Sequence, residues 1–295
     1  FCDQQLYHEH VNVGWTMWDG DAKKLQTGGY FAVGDNLTLA DTVVLGTAGQ
    51  TAQKSVDVYL CLNGMTVTAP QNKQAFQING GYTLHICDCS SEKTGKIQGN
   101  GKFTGSGGLI SIAEKGTLMQ YGGSITNGCS SGNGGNIAVT ANATYTIYGG
   151  KVISGVSNNL GGNISVSAGA VFTMHGGEIS GGSAKTTNCN NIIMAVAGTM
   201  DLRGGYIQGG VRATNGTVKL SGTIRITDGT ASNLSVNKNS IIKINGLLTG
   251  TKQVGVSGVT VFATGVTEDV SAFFFADTAG KSVAYDQEKK ELKLV

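Results

Sequence analysis

The chain has 295 residues, including 47 glycines and one proline, and a formal net charge of +2. Glycine without a triplet spacing excludes collagen, and a hydrophobic content of 40% argues against disorder. Only 14% of the residues are charged, and Lys and Arg form no cluster, so we expect no nucleic-acid partner. No apolar run approaches ~18 residues, so we expect no membrane insertion.

Residues 1–30 contain both tryptophans and lack the glycine period found later in the chain. We interpret them as an N-terminal cap over the first layer of a solenoid. The chain begins at Phe1 without a signal peptide, so we expect a piece of a longer protein.

A candidate metal site lies in this segment at Cys2, His8 and His10. The His-x-His spacing places both imidazoles on one face of a strand, and zinc accepts nitrogen and sulfur ligands. The fourth ligand is open, with Asp3 or Glu9 as candidates, and a terminus without metal is the alternative. A structural zinc here is the one cofactor that we consider.

Short apolar runs of β type begin at Tyr30 and continue to Gln98. Cys61 and Cys87 lie within such runs, and we expect them to be buried and reduced, because a buried thiol behaves as a small hydrophobe. Cys129 and Cys189 are separated by two repeats, or ~10 Å of stacking, which exceeds the reach of a disulfide unless the loops bend together.

The centre of the chain repeats one pattern, in which an alternating strand ends at Gly-Gly and a second short strand follows. The residues before Gly-Gly are spaced by 27, 27 and 28 positions, a period typical of a solenoid. Another short strand precedes each copy, which gives three strands per turn. We therefore predict an all-β, right-handed parallel β-helix over residues 31–250, with three strands per coil. The four copies are residues 116–128, 143–155, 170–182 and 198–210.

Residues at equivalent positions of successive coils stack about one strand spacing apart. Asn136, Asn163 and Asn191 share such a position, and we predict an amide ladder, with a row of ligand-binding amides as the alternative. Lys151 and Glu178 also share a position and predict a surface ion pair.

The residues before Gly-Gly, Tyr121, Tyr148, His175 and Arg203, form the candidate ligand-binding stripe. Aromatic rings could offer flat platforms to a sugar. The alternative is a surface ladder that only supports the stacking of the coils.

After residue 210 the repeats shorten, and residues 251–295 lose the pattern. Phe273–Phe275, Ser282–Tyr285 and Glu291–Val295 are typical of hairpin strands, with a charged turn near Asp286. We interpret 251–295 as a C-terminal β cap that discourages end-to-end association.

A β-helix also suggests a polysaccharide lyase or glycoside hydrolase, which needs paired carboxylates. Between residues 93 and 200 the only acids are Glu114 and Glu178, more than two coils apart. No catalytic residue is therefore assigned, and the enzyme remains the alternative.

The chain resembles the repetitive right-handed β-helix surface proteins of Gram-positive gut bacteria. The resemblance spans about residues 1–250 and rests on Cys2, His8-x-His10 and Trp15-x-x-Trp18, on residues 60–67 (LCLNGMTV), and on the Tyr-Gly-Gly coils. Members typically have His where this chain has Met65. The resemblance implies large adhesin-like proteins and no reaction.

These observations favour a non-catalytic extracellular binding or adhesion module at the surface of a Gram-positive bacterium. We expect it to be a monomer as a module and to recognise a host glycoprotein or glycan. A passive stalk that displays another domain is a further alternative.

Overall fold

A computed structural model describes residues 14–47, 55–186, 189–229 and 232–295. Within these ranges the chain is nearly all β, and stacked parallel strands form the predicted parallel β-helix. The helical elements among the described residues are Ala22–Leu25 and a 3-10 turn at Ser271–Phe273. In this part of the chain, no helix has the length and apolar character needed to cross a bilayer.

The front sheet has thirteen strands within the described residues, and successive coils contribute its strands in chain order as far as Val261–Thr264. Thr16–Trp18 already pairs in parallel with Phe31–Val33, so the stacked strands begin inside the segment interpreted as a cap. The strands are Thr16–Trp18, Gly29–Val33, Val56–Cys61, Tyr82–Cys87, Thr117–Gln120, Thr144–Ile147, Val171–Met174, Gly198–Leu202, Gly216–Gly222, Ser240–Leu248, Val261–Thr264, Glu291–Leu294 and Val283–Asp286.

The back sheet consists of two rows of strands that meet at Val254–Gly258, which pairs with the end of both rows. The first row is Leu37–Thr38, Thr66–Thr68, Lys96–Gln98, Ser124–Thr126, Lys151–Ile153, Glu178–Ser180, Tyr206–Ile207 and Arg225–Ile226. The second row is Val43–Leu45, Phe76–Ile78, Ile110–Ile112, Ile137–Val139, Ile164–Val166, Ile192–Met194, Val211–Ala213 and Leu234–Val236, and Phe274–Ala276 follows Val254–Gly258.

A corner sheet adds a fourth short strand to four of the described coils. Its strands have two residues each, so periodicity could not identify them. They are Lys102–Phe103, Cys129–Ser130, Val156–Ser157 and Ser183–Ala184. The other three strands of each coil are those that the repeat predicts.

The second glycine of each Gly-Gly pair forms the turn between the front sheet and the first back row. Gly150 has a φ of 84°, which favours glycine. A Cβ at this position would lie 2.4 Å from the carbonyl oxygen of Gly123 in the coil before it. The repeat therefore keeps glycine here for both conformation and space.

The core is a set of apolar columns, because strand alternation sends every second side chain inward. Leu118, Tyr145, Phe172 and Met200 are in register on the front sheet, and all four are fully buried. Burying a side chain of this size contributes ~1.5–3 kcal/mol. Each coil therefore stabilises the fold mainly through contacts with its two neighbours.

The predicted amide ladder is confirmed, and it lies inside the solenoid. Asn136 Nδ2 donates to Asn163 Oδ1 at 2.7 Å, and Asn163 Nδ2 donates to Asn191 Oδ1 at 2.6 Å. All three side chains are buried. The predicted ion pair is also confirmed, with Lys151 Nζ 3.1 Å from Glu178 Oε2 on the back sheet.

The last residues close the solenoid with antiparallel strands. Val283–Asp286 and Glu291–Leu294 form the predicted hairpin, and the second strand also pairs with Val261–Thr264. Phe274–Ala276 instead pairs in parallel with Val254–Val256 as a further rung of the back sheet. Phe273 and Phe274 bury their rings against each other at 5.3 Å between centroids.

Candidate functional site

The four residues of the candidate stripe lie side by side at the ends of consecutive front-sheet strands. The ring centroids of Tyr121 and Tyr148 are 5.0 Å apart, and those of Tyr148 and His175 are 4.7 Å apart. Arg203 follows His175 in the next coil, with its guanidinium 2.7 Å from Asp201. The structure thus brings together all four residues that the repeat indicates.

The row of rings extends further toward the N-terminus than the sequence predicts. Tyr30, Tyr59 and His85 stack in order, with centroids 4.6 and 4.1 Å apart, and His85 continues to Tyr121 at 6.0 Å. Trp15 contacts Tyr30 edge-on at 5.6 Å. We call these seven rings the aromatic file; its members are Trp15, Tyr30, Tyr59, His85, Tyr121, Tyr148 and His175, and it spans ~29 Å at ~4.8 Å per coil.

The rings up to His85 and the rings from Tyr121 onward occupy different positions along their front-sheet strands. Tyr59 pairs with His85, but the partner of His85 in the next coil is Met119, two residues before Tyr121. The shift follows the long segment between Cys87 and Thr117, which breaks the 27-residue spacing. The earlier rings therefore carry no Gly-Gly signal; only their own spacing of 29 and 26 residues marks them.

The rings turn their faces toward one another and their edges toward solvent. Interplanar angles from Tyr30 to His175 are 14° or less. A sugar could therefore not lie flat on these faces, as a platform would require. The file instead offers ring edges, tyrosine hydroxyls and imidazole nitrogens, with Tyr30, Tyr59, Tyr148 and His175 half-buried.

Hydrogen bonds fix the middle of the file. His85 Nε2 lies 2.9 Å from Asp57 Oδ1, and the Tyr121 hydroxyl lies 3.4 Å from His85 Nδ1. Burial raises the pKa of Tyr121 to about 12, so its hydroxyl stays protonated at neutral pH. This chain of contacts orients the rings and does not produce a reactive tyrosinate.

Cationic side chains follow the file at its C-terminal end. Burial and the charge of Arg203 lower the pKa of His175, so its imidazole is held in the neutral form. The hydrogen bond that Arg203 donates to Asp201 raises the pKa of Arg203. Asp201 is in register with Lys219, which pairs with Lys243 in the next coil. We call Arg203, Lys219 and Lys243 the cationic patch.

The acidic side chains next to the file already contact basic side chains. Asp57 contacts His85, and Asp201 is buried and contacts Arg203 through Oδ2. Among the described residues, Asp201 Oδ1 has no hydrogen-bond partner. The back-sheet acid Glu178 accepts from Ser180 and pairs with Lys151.

The proposed metal ligands Cys2, His8 and His10 lie outside the described residues, so that prediction stays a prediction. Cys61 and Cys87 are buried, as expected. The sequence reasoning did not identify their proximity to Cys89. The sulfurs of Cys61, Cys87 and Cys89 all lie within 4.8 Å of one another, which is within the range of shared metal binding.

A separate cavity of about 590 Å³ opens on the back sheet near its C-terminal end. Arg225 stacks over the Tyr206 ring at 4.5 Å, and both side chains contact Asp228. Lys252, Asn233 and Phe275 complete much of the lining. Because its principal polar groups already bind one another, this cavity is a weaker candidate than the aromatic file.

No protein-family model, no curated protein and no solved structure matches this chain.

Proposed function

We propose that this chain is a non-catalytic extracellular binding module of a bacterial cell surface, and that it recognises an acidic glycan of a host glycoprotein. The observation that carries the proposal is the aromatic file, which runs along one sheet and ends at the cationic patch. The resemblance to adhesin-like surface proteins of Gram-positive gut bacteria supports the same role. A display stalk would use the file only to stabilise its coils and would not need the cationic patch.

The chemistry of the surface suggests how a glycan would bind. Tyr59, Tyr148 and His175 present polar groups at the regular spacing of the coils, and an extended sugar chain carries hydroxyls along its length. Arg203, Lys219 and Lys243 add positive charge, with Lys243 exposed and Lys219 half-buried. Sialylated or sulfated sugars would meet these cations.

The test is a glycan and mucin array, run alongside an assay for cleavage products. The proposal predicts binding to acidic glycans without turnover, and weaker binding at high salt because exposed charges are screened. Turnover would support a carbohydrate-active enzyme instead. No binding to any glycan or mucin would leave the display stalk as the better reading.

Charge-reversal variants test whether the cationic patch is the glycan-binding surface. Lys243→Glu should weaken binding by about twofold to fivefold, since an exposed charge contact contributes up to ~1 kcal/mol. Lys102→Glu makes the same change on the corner sheet, where Lys102 is also exposed, and should leave binding unchanged. Equal effects of the two variants would contradict recognition by the cationic patch.

A further inference from the structure

Three cysteines converge on the outer side of the front sheet, where the aromatic file changes position. Cys61 and Cys87 are in register on adjacent strands, so their side chains leave the sheet on the same side one coil apart. Cys89 lies two residues beyond Cys87, after the strand has ended. The Cys87 and Cys89 sulfurs are 3.6 Å apart, which is a hydrogen-bond contact between thiols and not a disulfide.

The turn that carries Cys89 is held by one buried carboxylate. Asp88 Oδ1 accepts from the backbone N–H of Gly64 at 2.8 Å, and Oδ2 accepts from that of Gly95 at 2.6 Å. Ser90 donates to Oδ1 through both its backbone N–H and its hydroxyl. With its position fixed from both sides, the turn directs Cys89 back toward the other two thiols.

The turn and the next coil both contact the cluster. The backbone N–H of Cys89 donates to Cys61 Sγ at 3.3 Å. The Tyr121 ring of the next coil packs against Cys61 and Cys87 and shields them from solvent.

We propose that Cys61, Cys87 and Cys89 bind one thiophilic metal ion, Zn²⁺ or Cu⁺. The ion would link the adjacent strands that carry Cys61 and Cys87 to the turn that carries Cys89. Thiolates are preferred ligands of both ions. Two sulfurs on one tetrahedral zinc lie ~3.8 Å apart, since Zn–S bonds measure ~2.3 Å. The sulfur separations of the cluster therefore need little adjustment. Binding displaces the thiol protons to solvent and changes no oxidation state.

The two ions differ in what else they require. Zinc completes a tetrahedron with a fourth ligand, such as water, whereas soft thiolate sites also select Cu⁺. The experiment uses the full chain, reduced with a phosphine under anaerobic conditions. Zn²⁺ and Cu⁺ are titrated in separate arms against competing chelators, and bound metal is counted per chain.

One equivalent of at least one ion should bind. Cys89→Ser should weaken binding by more than ~100-fold, beyond the effect of losing an outer-shell contact. Cys129→Ser is the matched control, since Cys129 lies on the corner sheet, and should bind as the wild type does. Metal should also protect Cys89, the half-buried thiol of the three, from alkylation, as mapped by mass spectrometry; this readout needs no variant to fold.

Cys2→Ser separates this site from the zinc predicted at the N-terminus. Loss of metal on Cys89→Ser supports the three-thiol site whatever Cys2→Ser does. Full retention in Cys89→Ser, no stoichiometric binding of either ion, or alkylation of Cys89 unaffected by metal would overturn the proposal.

Discussion

Two ladders run along the same coils with the same period, one inside the solenoid and one outside. The inner ladder repeats one residue type at Asn136, Asn163 and Asn191. The outer ladder tolerates a change from Tyr148 to His175 at the same step. The difference indicates that hydrogen-bond satisfaction, and not stacking alone, fixes residue identity in a repeat.

The inner ladder accepts no other residue type, because every amide group in it has a hydrogen-bond partner. Asn163 Oδ1 accepts from Asn136 and from the backbone N–H of Gly155, at 2.7 and 2.9 Å. Its Nδ2 donates to Asn191 and to the Ser180 carbonyl oxygen. Stacked rings need only flat faces at the correct distance, which tyrosine and histidine both supply.

The largest expected effect is on the inner ladder. Asn163→Leu would strand buried partners on both adjacent coils, so the free energy of unfolding should fall by about 3 kcal/mol or more, at ~1–3 kcal/mol per unsatisfied group. Urea unfolding measures this. Asn159→Ala is the control, because Asn159 is exposed, and should change stability by less than ~0.5 kcal/mol. If Asn163→Leu lowers the free energy of unfolding by less than ~1 kcal/mol, the hydrogen bonds of the ladder do not determine the residue type at this position.

Removing one ring should have the next largest effect. Tyr148→Ala deletes two stacking contacts, each contributing ~0.5–1.5 kcal/mol, so a loss of about 2 kcal/mol is expected by thermal or urea unfolding. Tyr148→His keeps a ring in the file, as His175 does one coil later, and should recover most of the stability. If alanine and histidine are equally destabilising, stacking does not hold the outer ladder.

Two tyrosines of one coil allow a direct comparison of hydroxyls. Tyr145 is fully buried and donates to Gln120 Oε1 at 2.6 Å, whereas Tyr148 is half-exposed. Tyr145→Phe leaves a buried acceptor unpaired and should cost about 1–2 kcal/mol. Tyr148→Phe keeps the stack and should cost less than ~0.5 kcal/mol. If the two variants lose the same stability, the buried hydroxyl of Tyr145 contributes no more than the half-exposed hydroxyl of Tyr148.

The outer ladder should also make stability depend on pH. The pKa of His175 is lowered from 6.5 by burial and by Arg203, so the unfolded chain binds more protons there than the folded one. The contribution of His175 is therefore fully present above pH 6.5, and it decreases as pH falls from 6.5 through the folded-state pKa. Unfolding curves of the wild type and His175→Gln should diverge over that window, with the wild type losing more. Parallel curves would contradict the lowered pKa.

The smallest effect is expected at the surface ion pair. Lys151 and Glu178 are both partly exposed, so their coupling should be about 0.5 kcal/mol or less in a double-mutant cycle and should diminish with salt. A coupling above ~1 kcal/mol would show that regular stacking strengthens exposed pairs beyond their usual range.

The sequence predicts side-chain contacts correctly where successive coils have the same length. Asn136, Asn163 and Asn191, and the rings from Tyr121 to His175, follow from a constant spacing, since parallel in-register stacking converts spacing into contact. His85 and Tyr121 have no such relation, because the segment between Cys87 and Thr117 changes the register. The edge-out orientation of the rings also depends on side-chain torsions that spacing does not specify.

The thiol cluster shows the same limit in another form. Cys61 and Cys87 were each interpretable as buried strand residues, and that prediction is confirmed. Their proximity follows from the pairing of two strands, and the position of Cys89 follows from the hydrogen bonds of Asp88 across the turn. Single-strand patterns contain neither relation.

The inner ladder has a consequence for how such a chain can change in length. Asn163 gives one amide proton to the coil after it and takes one from the coil before it. A duplicated coil carrying the same asparagine would therefore enter the stack without creating an unpaired group. The amide ladder therefore sets no limit of its own on the number of coils, and so none on the length of the outer surface.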